Sequence, residues 1–293
     1  MCHIPQSLKQ DKKFRTDFIE SSRNTSLTAS MLSSLPANVN KIYVHTGNIL
    51  SLNEIKKLAG QYQTEELVES LRITLSSWQA KNEILSKHET NFIEVNRHDN
   101  TYVVDESDRE NLKINVKVFL SAPKKEVIQE ALENVFASLK VNRIDSLVLA
   151  CKLEPSAVLA GLQDIWTVIE DLSLQKRFGD VGVSDIDTDV FISLYQWAKV
   201  KPTIIQINLT VCCVVPPVLQ EFCKANNVQL LTHSDPLEIL PKAALYQLFG
   251  AKDRDHLILN WTSRYQVHVK CRGVLSSKGY LICVTRQEDS GEQ

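Results

Sequence analysis

From Lys113 onward, short continuous apolar bursts alternate with longer stretches that carry apolar residues on one helical face. Lys113 to Leu120 predicts a strand, and Pro123 suits the first turn of a helix that turns Val127, Ala131, Val135 and Leu139 inward. Ile144 to Cys151 is nearly all apolar, the pattern of a strand buried on both faces. There follow a helix at Leu159 to Leu174, a strand at Asp180 to Ser184, and a helix from Asp187 to Lys199 with Asp187 as its cap. A strand at Thr203 to Leu209, a helix beginning near Pro216-Pro217 and a strand at Val228 to Thr232 complete the run. Upstream, Ile42 to His45 predicts a strand, and Leu67, Leu71, Leu75 and Trp78 mark one face of a helix starting at Thr64.

Strand starts near 180, 203 and 228 recur at the length of one strand plus one crossover helix. That spacing predicts an α/β protein with a parallel sheet closed into a (β/α)8 TIM barrel, with an open doubly wound sheet as the alternative. Residues 1–40 hold a charged start and a Ser/Thr/Asn-rich stretch with little apolar surface to offset ordering, and are read as a polar leader. The barrel domain is expected over 41–285 and a polar tail over 286–293.

Composition narrows the function classes. With 293 residues, 43% of them hydrophobic and 23% charged, the chain can bury a substantial core. Thirty-three Lys+Arg against 35 Asp+Glu give a net charge of −2, so no basic field draws it to nucleic acid or anionic lipid. No apolar run is long enough for a membrane span, and residues Met1 to Lys13 are polar, which predicts a cytoplasmic protein. Seven cysteines without framework spacing are expected as thiols there. The seven histidines are dispersed and no CxxC or HxxxH spacing occurs, so no metal site is expected.

Val181-Gly182-Val183-Ser184-Asp185, Lys201-Pro202 leading into Gln206-Ile207-Asn208-Leu209, and Val228 through Pro236 resemble the second half of an aldo-keto reductase barrel. That resemblance implies a tetrad of Tyr acid, Asp, Lys and His, because a phenol protonates a developing alkoxide only when a cation and hydrogen bonds tune it. Lys117 occupies the place of the Lys. Ala150, with Cys151 beside it, stands where the His belongs, and Tyr102 and Asp105 come in reversed order within a polar insertion over 96–111. Five further blocks resemble the regulatory (modifier) subunits of glutamate-cysteine ligase: Thr46-Gly47-Asn48; Glu65-Glu66-Leu67 with Thr74-Leu75 and Trp78; Leu194 through Pro202; Cys212-Cys213-Val214-Val215-Pro216-Pro217; and Arg272-Gly273 with Ser277-Lys278-Gly279-Tyr280. They run in family order from about Lys41 to Val284. This resemblance implies a degenerate aldo-keto reductase barrel that is not an enzyme. Such a chain forms a heterodimer with the ligase catalytic subunit, improves its use of glutamate and relieves feedback inhibition by glutathione, within glutathione biosynthesis. The alternative is an NADPH-dependent carbonyl reductase with an altered tetrad.

Each candidate residue has a bland counterpart. Cys212-Cys213 follows a strand at the C-terminal rim of the expected barrel and reads either as a redox-sensitive contact with the partner or as a packed apolar pair. Lys117 is a paired charge at the barrel mouth or a vestige of catalysis. His233, two residues before Asp235, serves a base or caps a loop. Leu194 and Trp197, with the strands from Tyr265 to Val284, either face the core or form an interface. Glycine-rich phosphate loops are absent; Arg264, Lys270 and Arg272 fall about where the reductases grip a cofactor phosphate, and no cofactor is expected.

Overall fold

A computed structural model describes residues 38–57, 62–79, 90–97, 104–151, 158–208, 214–251 and 256–287. The strands are β1 (Lys41–His45), β2 (Phe92–Asn96), β3 (Leu112–Leu120), β4 (Ile144–Cys151), β5 (Phe178–Ser184), β6 (Ile204–Asn208), β7 (Gln229–His233), β8 (His256–Val269) and β9 (Val274–Gln287). The α-helices are α1 (Asn53–Lys57), α2 (Gln63–Gln79), α3 (Lys125–Leu139), α4 (Val158–Leu174), α5 (Thr188–Trp197), α6 (Pro217–Ala225) and α7 (Lys242–Phe249).

The α/β class holds. The alternation expected of a barrel runs from β3 to β7 as five consecutive parallel strands, four of the links carrying one helix each. On the other side of β3 the sheet departs from an all-parallel ring, in the order β2-β1-β9-β8-β3-β4-β5-β6-β7. There β8 and β9 form a hairpin that enters antiparallel to both β3 and β1. Two long strands joined by a four-residue turn pair with each other first, and an antiparallel hairpin is the geometry so short a link allows. Gly273, at φ 61°, supplies the left-handed turn residue and donates its N–H to the Val269 carbonyl at 2.8 Å.

Two apolar cores form. Leu112, Ile114, Val116, Val118 and Leu120 of β3 point at α3 and α4, which return Ile128, Leu132, Val135, Phe136, Leu162, Ile165, Trp166 and Ile169. Across the sheet, Ile42 and Val44 of β1 meet Leu67, Leu71, Leu75 and Trp78 of α2 and Leu245 and Phe249 of α7. Strand β9 serves both, with Leu281 and Cys283 in the first core and Tyr280, Ile282 and Val284 in the second. On α3 the buried stripe is Ile128, Ala131, Leu132, Val135, Phe136 and Leu139, so Val127 lies at its margin rather than at its centre. Asp187 holds the cap position of α5 in extended geometry, φ −64° and ψ 150°, without a side-chain cap bond.

Gly182 is the residue that lets β5 meet β6. A Cβ there would lie 2.1 Å from the Ile204 carbonyl oxygen and 2.5 Å from the Ile204 Cβ. Gly182→Ala is expected to destabilise the fold by about 1–3 kcal/mol, seen as a lower urea midpoint at unchanged slope. An unchanged midpoint would mean that β5 and β6 can part without cost.

Candidate functional site

Lys117 occupies a central position of β3, and its side chain is 6% exposed. Its ammonium donates to Ser184 Oγ at 2.9 Å on β5, to Gln206 Oε1 at 2.9 Å on β6, and to Asp235 Oδ2 at 2.7 Å just after β7. An ammonium has three N–H donors, and all three are engaged. These partners cluster toward the C-terminal ends of parallel strands, the edge at which α/β proteins place their sites.

Asp235 is the hub. Its carboxylate, 2% exposed, also accepts from Arg264 Nη1 at 2.5 Å and Nη2 at 3.2 Å, a forked contact that fixes the carboxylate plane. Arg264 lies directly opposite Lys117 in the β3–β8 register and reaches Gln63 Oε1 of α2 at 2.5 Å. Burial penalises the Asp235 charge, yet His233, Arg264 and Lys117 outweigh it and hold the carboxyl far below the usual range. For Lys117 burial wins and lowers its pKa, with Asp235 pulling the other way. The cluster continues along the register through Tyr280, opposite Arg264, whose hydroxyl donates to Glu66 Oε1 at 2.6 Å; Lys278 pairs with the same oxygen at 2.6 Å.

His233 closes the network at its solvent side. Its Nε2 lies 2.9 Å from Asp185 Oδ1 and 3.0 Å from Ser184 Oγ. Nδ1 faces the Asp235 amide at 3.1 Å and the Asp235 carboxylate at 3.2 Å. A neutral ring accepts from that amide, whereas a charged ring donates to that carboxylate. Burial disfavours the charged ring, but the hydrogen bonds to Asp185 and Asp235 outweigh it and raise the pKa above 6.5. Charged His233 therefore contributes stability that is complete below pH 6.5 and is lost as pH rises through the raised folded value. Urea unfolding across pH 5.5 to 9 should show that decline, and His233→Gln should flatten it; the same decline in the variant would assign it elsewhere.

The tetrad expected from the reductase resemblance is not assembled among the described residues. Ala150 pairs with Phe119 and Ser184, so a methyl group stands where an imidazole was required. Asp105 caps the 3-10 turn Glu106–Asn111 by accepting from the Ser107 amide at 2.9 Å. Tyr102 lies outside the described residues, as do Cys212 and Cys213. Of the candidate phosphate grip, Arg264 is bound to Asp235 and Lys270 Nζ caps the Glu110 carbonyl at 2.9 Å, whereas Arg272 is exposed in the turn between β8 and β9. Burial pushes the Cys151 and Cys283 thiols up to about 12. No group of three His, Cys, Asp or Glu that could hold a metal occurs among the described residues, nor does a helix long and apolar enough to cross a membrane. On α5, Leu194 is buried whereas Trp197 is 45% exposed, so the two part company.

The sequence pointed to Lys117, His233 and Arg264 singly, and the structure brings them together around Asp235. Missing from that reading were Ser184, Gln206 and Asp235 as the three acceptors of Lys117. Asp235 is 118 positions from Lys117, a separation that no local pattern encodes.

Residues 64–238 match the family model for the aldo/keto reductase family. Human and rat proteins named glutamate–cysteine ligase regulatory subunit are each 31% identical to this chain over 262 residues, covering 86% of it and 96% of the relative. Among solved structures, an aldo/keto reductase from Brucella melitensis is similar at 13% identity over 66% of this chain and 67% of that one, with a TM-score of 0.35.

Proposed function

Because the chain belongs to the aldo/keto reductase family, within the group of glutamate–cysteine ligase regulatory subunits, we propose that it is a non-catalytic regulatory subunit of that ligase. It binds the catalytic subunit as a heterodimer in the cytoplasm, improves the use of glutamate and relieves feedback inhibition by glutathione. The observation that carries this reading is the reach of the similarity, which takes in 96% of the human regulatory subunit rather than a shared barrel segment.

The site supports it. A reductase needs a cation free to tune its acid and an imidazole beside the carbonyl, and losing a positioned acid costs about 10²- to 10⁴-fold. Here the three donors of Lys117 are taken and Ala150 replaces the imidazole. What was a reaction centre in the family serves as a buried clamp joining β3, β5, β6, β8, α2 and the loop after β7.

Regulation without chemistry requires that docking favour the glutamate-competent state of the catalytic subunit by a coupling of about 1–3 kcal/mol. Where glutamate affinity itself changes, linkage makes glutamate tighten the subunits by the same factor, about 5- to 150-fold. Subunit affinity measured at zero and at saturating glutamate tests this, and equal values would exclude that form of coupling.

A further inference from the structure

On the helical side of the sheet, away from the Lys117 cluster, α3 and α4 leave a groove of about 500 Å³ between them. Its floor is Leu132, Phe136, Val168 and Leu172, and Arg177, the residue before β5, closes one end. The Arg177 guanidinium stacks 4.0 Å above the centroid of the Phe136 ring, which fixes its plane. Stacking explains the position of the side chain but leaves its N–H groups unused: Nε is buried with no hydrogen-bond partner among the described residues. Glu133 and Asp171 line the same groove, yet neither pairs with Arg177, and Glu133 instead accepts from Gln129 at 2.8 Å. Lys140 and Lys176, both exposed with left-handed backbones that end α3 and α4, add positive charge at the Arg177 end.

A guanidinium whose plane is fixed and which pairs with no described carboxylate is complementary to a carboxylate brought by a partner. An apolar floor with one preorganised, unpaired Arg is the composition of a binding hot spot. We propose that this groove seats a segment of the partner polypeptide, which sets a carboxylate side chain against Arg177 and an apolar side chain on the partly exposed Val168 and Leu172. The assignment rests on the regulatory-subunit reading, and the partner is then the ligase catalytic subunit.

The test measures affinity of the full chain for the catalytic subunit by calorimetry or interferometry, with three variants. Arg177→Gln removes the fork. Gln175→Glu places a carboxylate beside Arg177 at an exposed position of the groove, which neither opens a cavity nor buries a charge. Leu237→Asp alters a residue that is 85% exposed beyond β7, at the opposite end of the strands, and serves as control. Arg177→Gln and Gln175→Glu are each expected to weaken binding about tenfold or more, with Leu237→Asp unchanged. Wild-type binding that Gln175→Glu leaves intact overturns the groove while the regulatory reading stands. Absence of wild-type binding overturns the regulatory reading itself. If the chain alone forms a dimer that Gln175→Glu dissolves, the occupant is a second copy and the proposal fails.

Discussion

Asp235→Ala is expected to cost about 3–5 kcal/mol of folding stability, because it strands two buried cations rather than deleting one contact. The Asp235 carboxylate faces Lys117 at 2.7 Å and Arg264 at 2.5 Å, and its own side chain is 2% exposed. Neither cation has another described carboxylate within ion-pair distance, so Arg264 remains charged in a dry setting, and Lys117 does the same or loses its proton. Asp235→Asn, which keeps the shape, should fall near the same value. The contrast is Asp164→Asn at the exposed Lys125–Asp164 pair, where side chains are 45% and 51% exposed and the expected loss is about 0–1 kcal/mol. Urea melts at pH 7 separate these outcomes. A loss below 1 kcal/mol for Asp235→Ala would mean that the cluster is solvated and holds nothing together.

Trp166→Ala is the second large effect. Trp166 is fully buried on α4, and its Nε1 donates to the Val200 carbonyl at 2.9 Å. One helical turn on, Glu170 Oε1 accepts the amides of Lys199 at 2.6 Å and Val200 at 3.1 Å. Together they clasp the link between α5 and β6 onto α4. Removing the indole leaves a large cavity and an orphaned carbonyl, about 3–5 kcal/mol. Trp166→Phe keeps most of the volume and should lose about 1 kcal/mol through the hydrogen bond. Equal losses in the two variants would show that the bond, not the packing, sets the value.

The parts of the fold written in local periodicity were legible in the sequence. Leu67, Leu71, Leu75 and Trp78 are all buried on α2, and Ile144–Cys151 is strand β4 with the bounds expected. Strand β2 went unread although Ile93 and Val95 alternate inward, because five residues beside a polar insertion give little signal. The eight-residue helix α7 escaped for the same reason. The tail boundary drawn at 286 falls inside β9, whose Arg286 amide reaches the Asn40 carbonyl at 2.7 Å, a pairing across the whole chain.

The site was legible as residues and illegible as an arrangement. Lys117 was identified through the reductase resemblance, and its meaning depends on which acceptors fold against it. Ser184 ends β5, Gln206 lies within β6 and Asp235 follows β7, so only the folding of three later segments against β3 converts a candidate catalytic lysine into a saturated one. Arg264 shows the reverse case, a residue that falls about where the reductases grip a cofactor phosphate and that the β3–β8 register turns toward Asp235. The Arg177 groove had no sequence signal, since its ring, cation and carboxylates come from two helices and a strand end.

The most direct measurement is the rate of a glutamate–cysteine ligase catalytic subunit against glutamate concentration, with and without this chain, repeated in the presence of glutathione. Regulation by docking predicts a lower apparent KM for glutamate and a higher glutathione concentration for half inhibition once the chain is added. Superimposable curves under both conditions, from subunits shown to be folded, would contradict it.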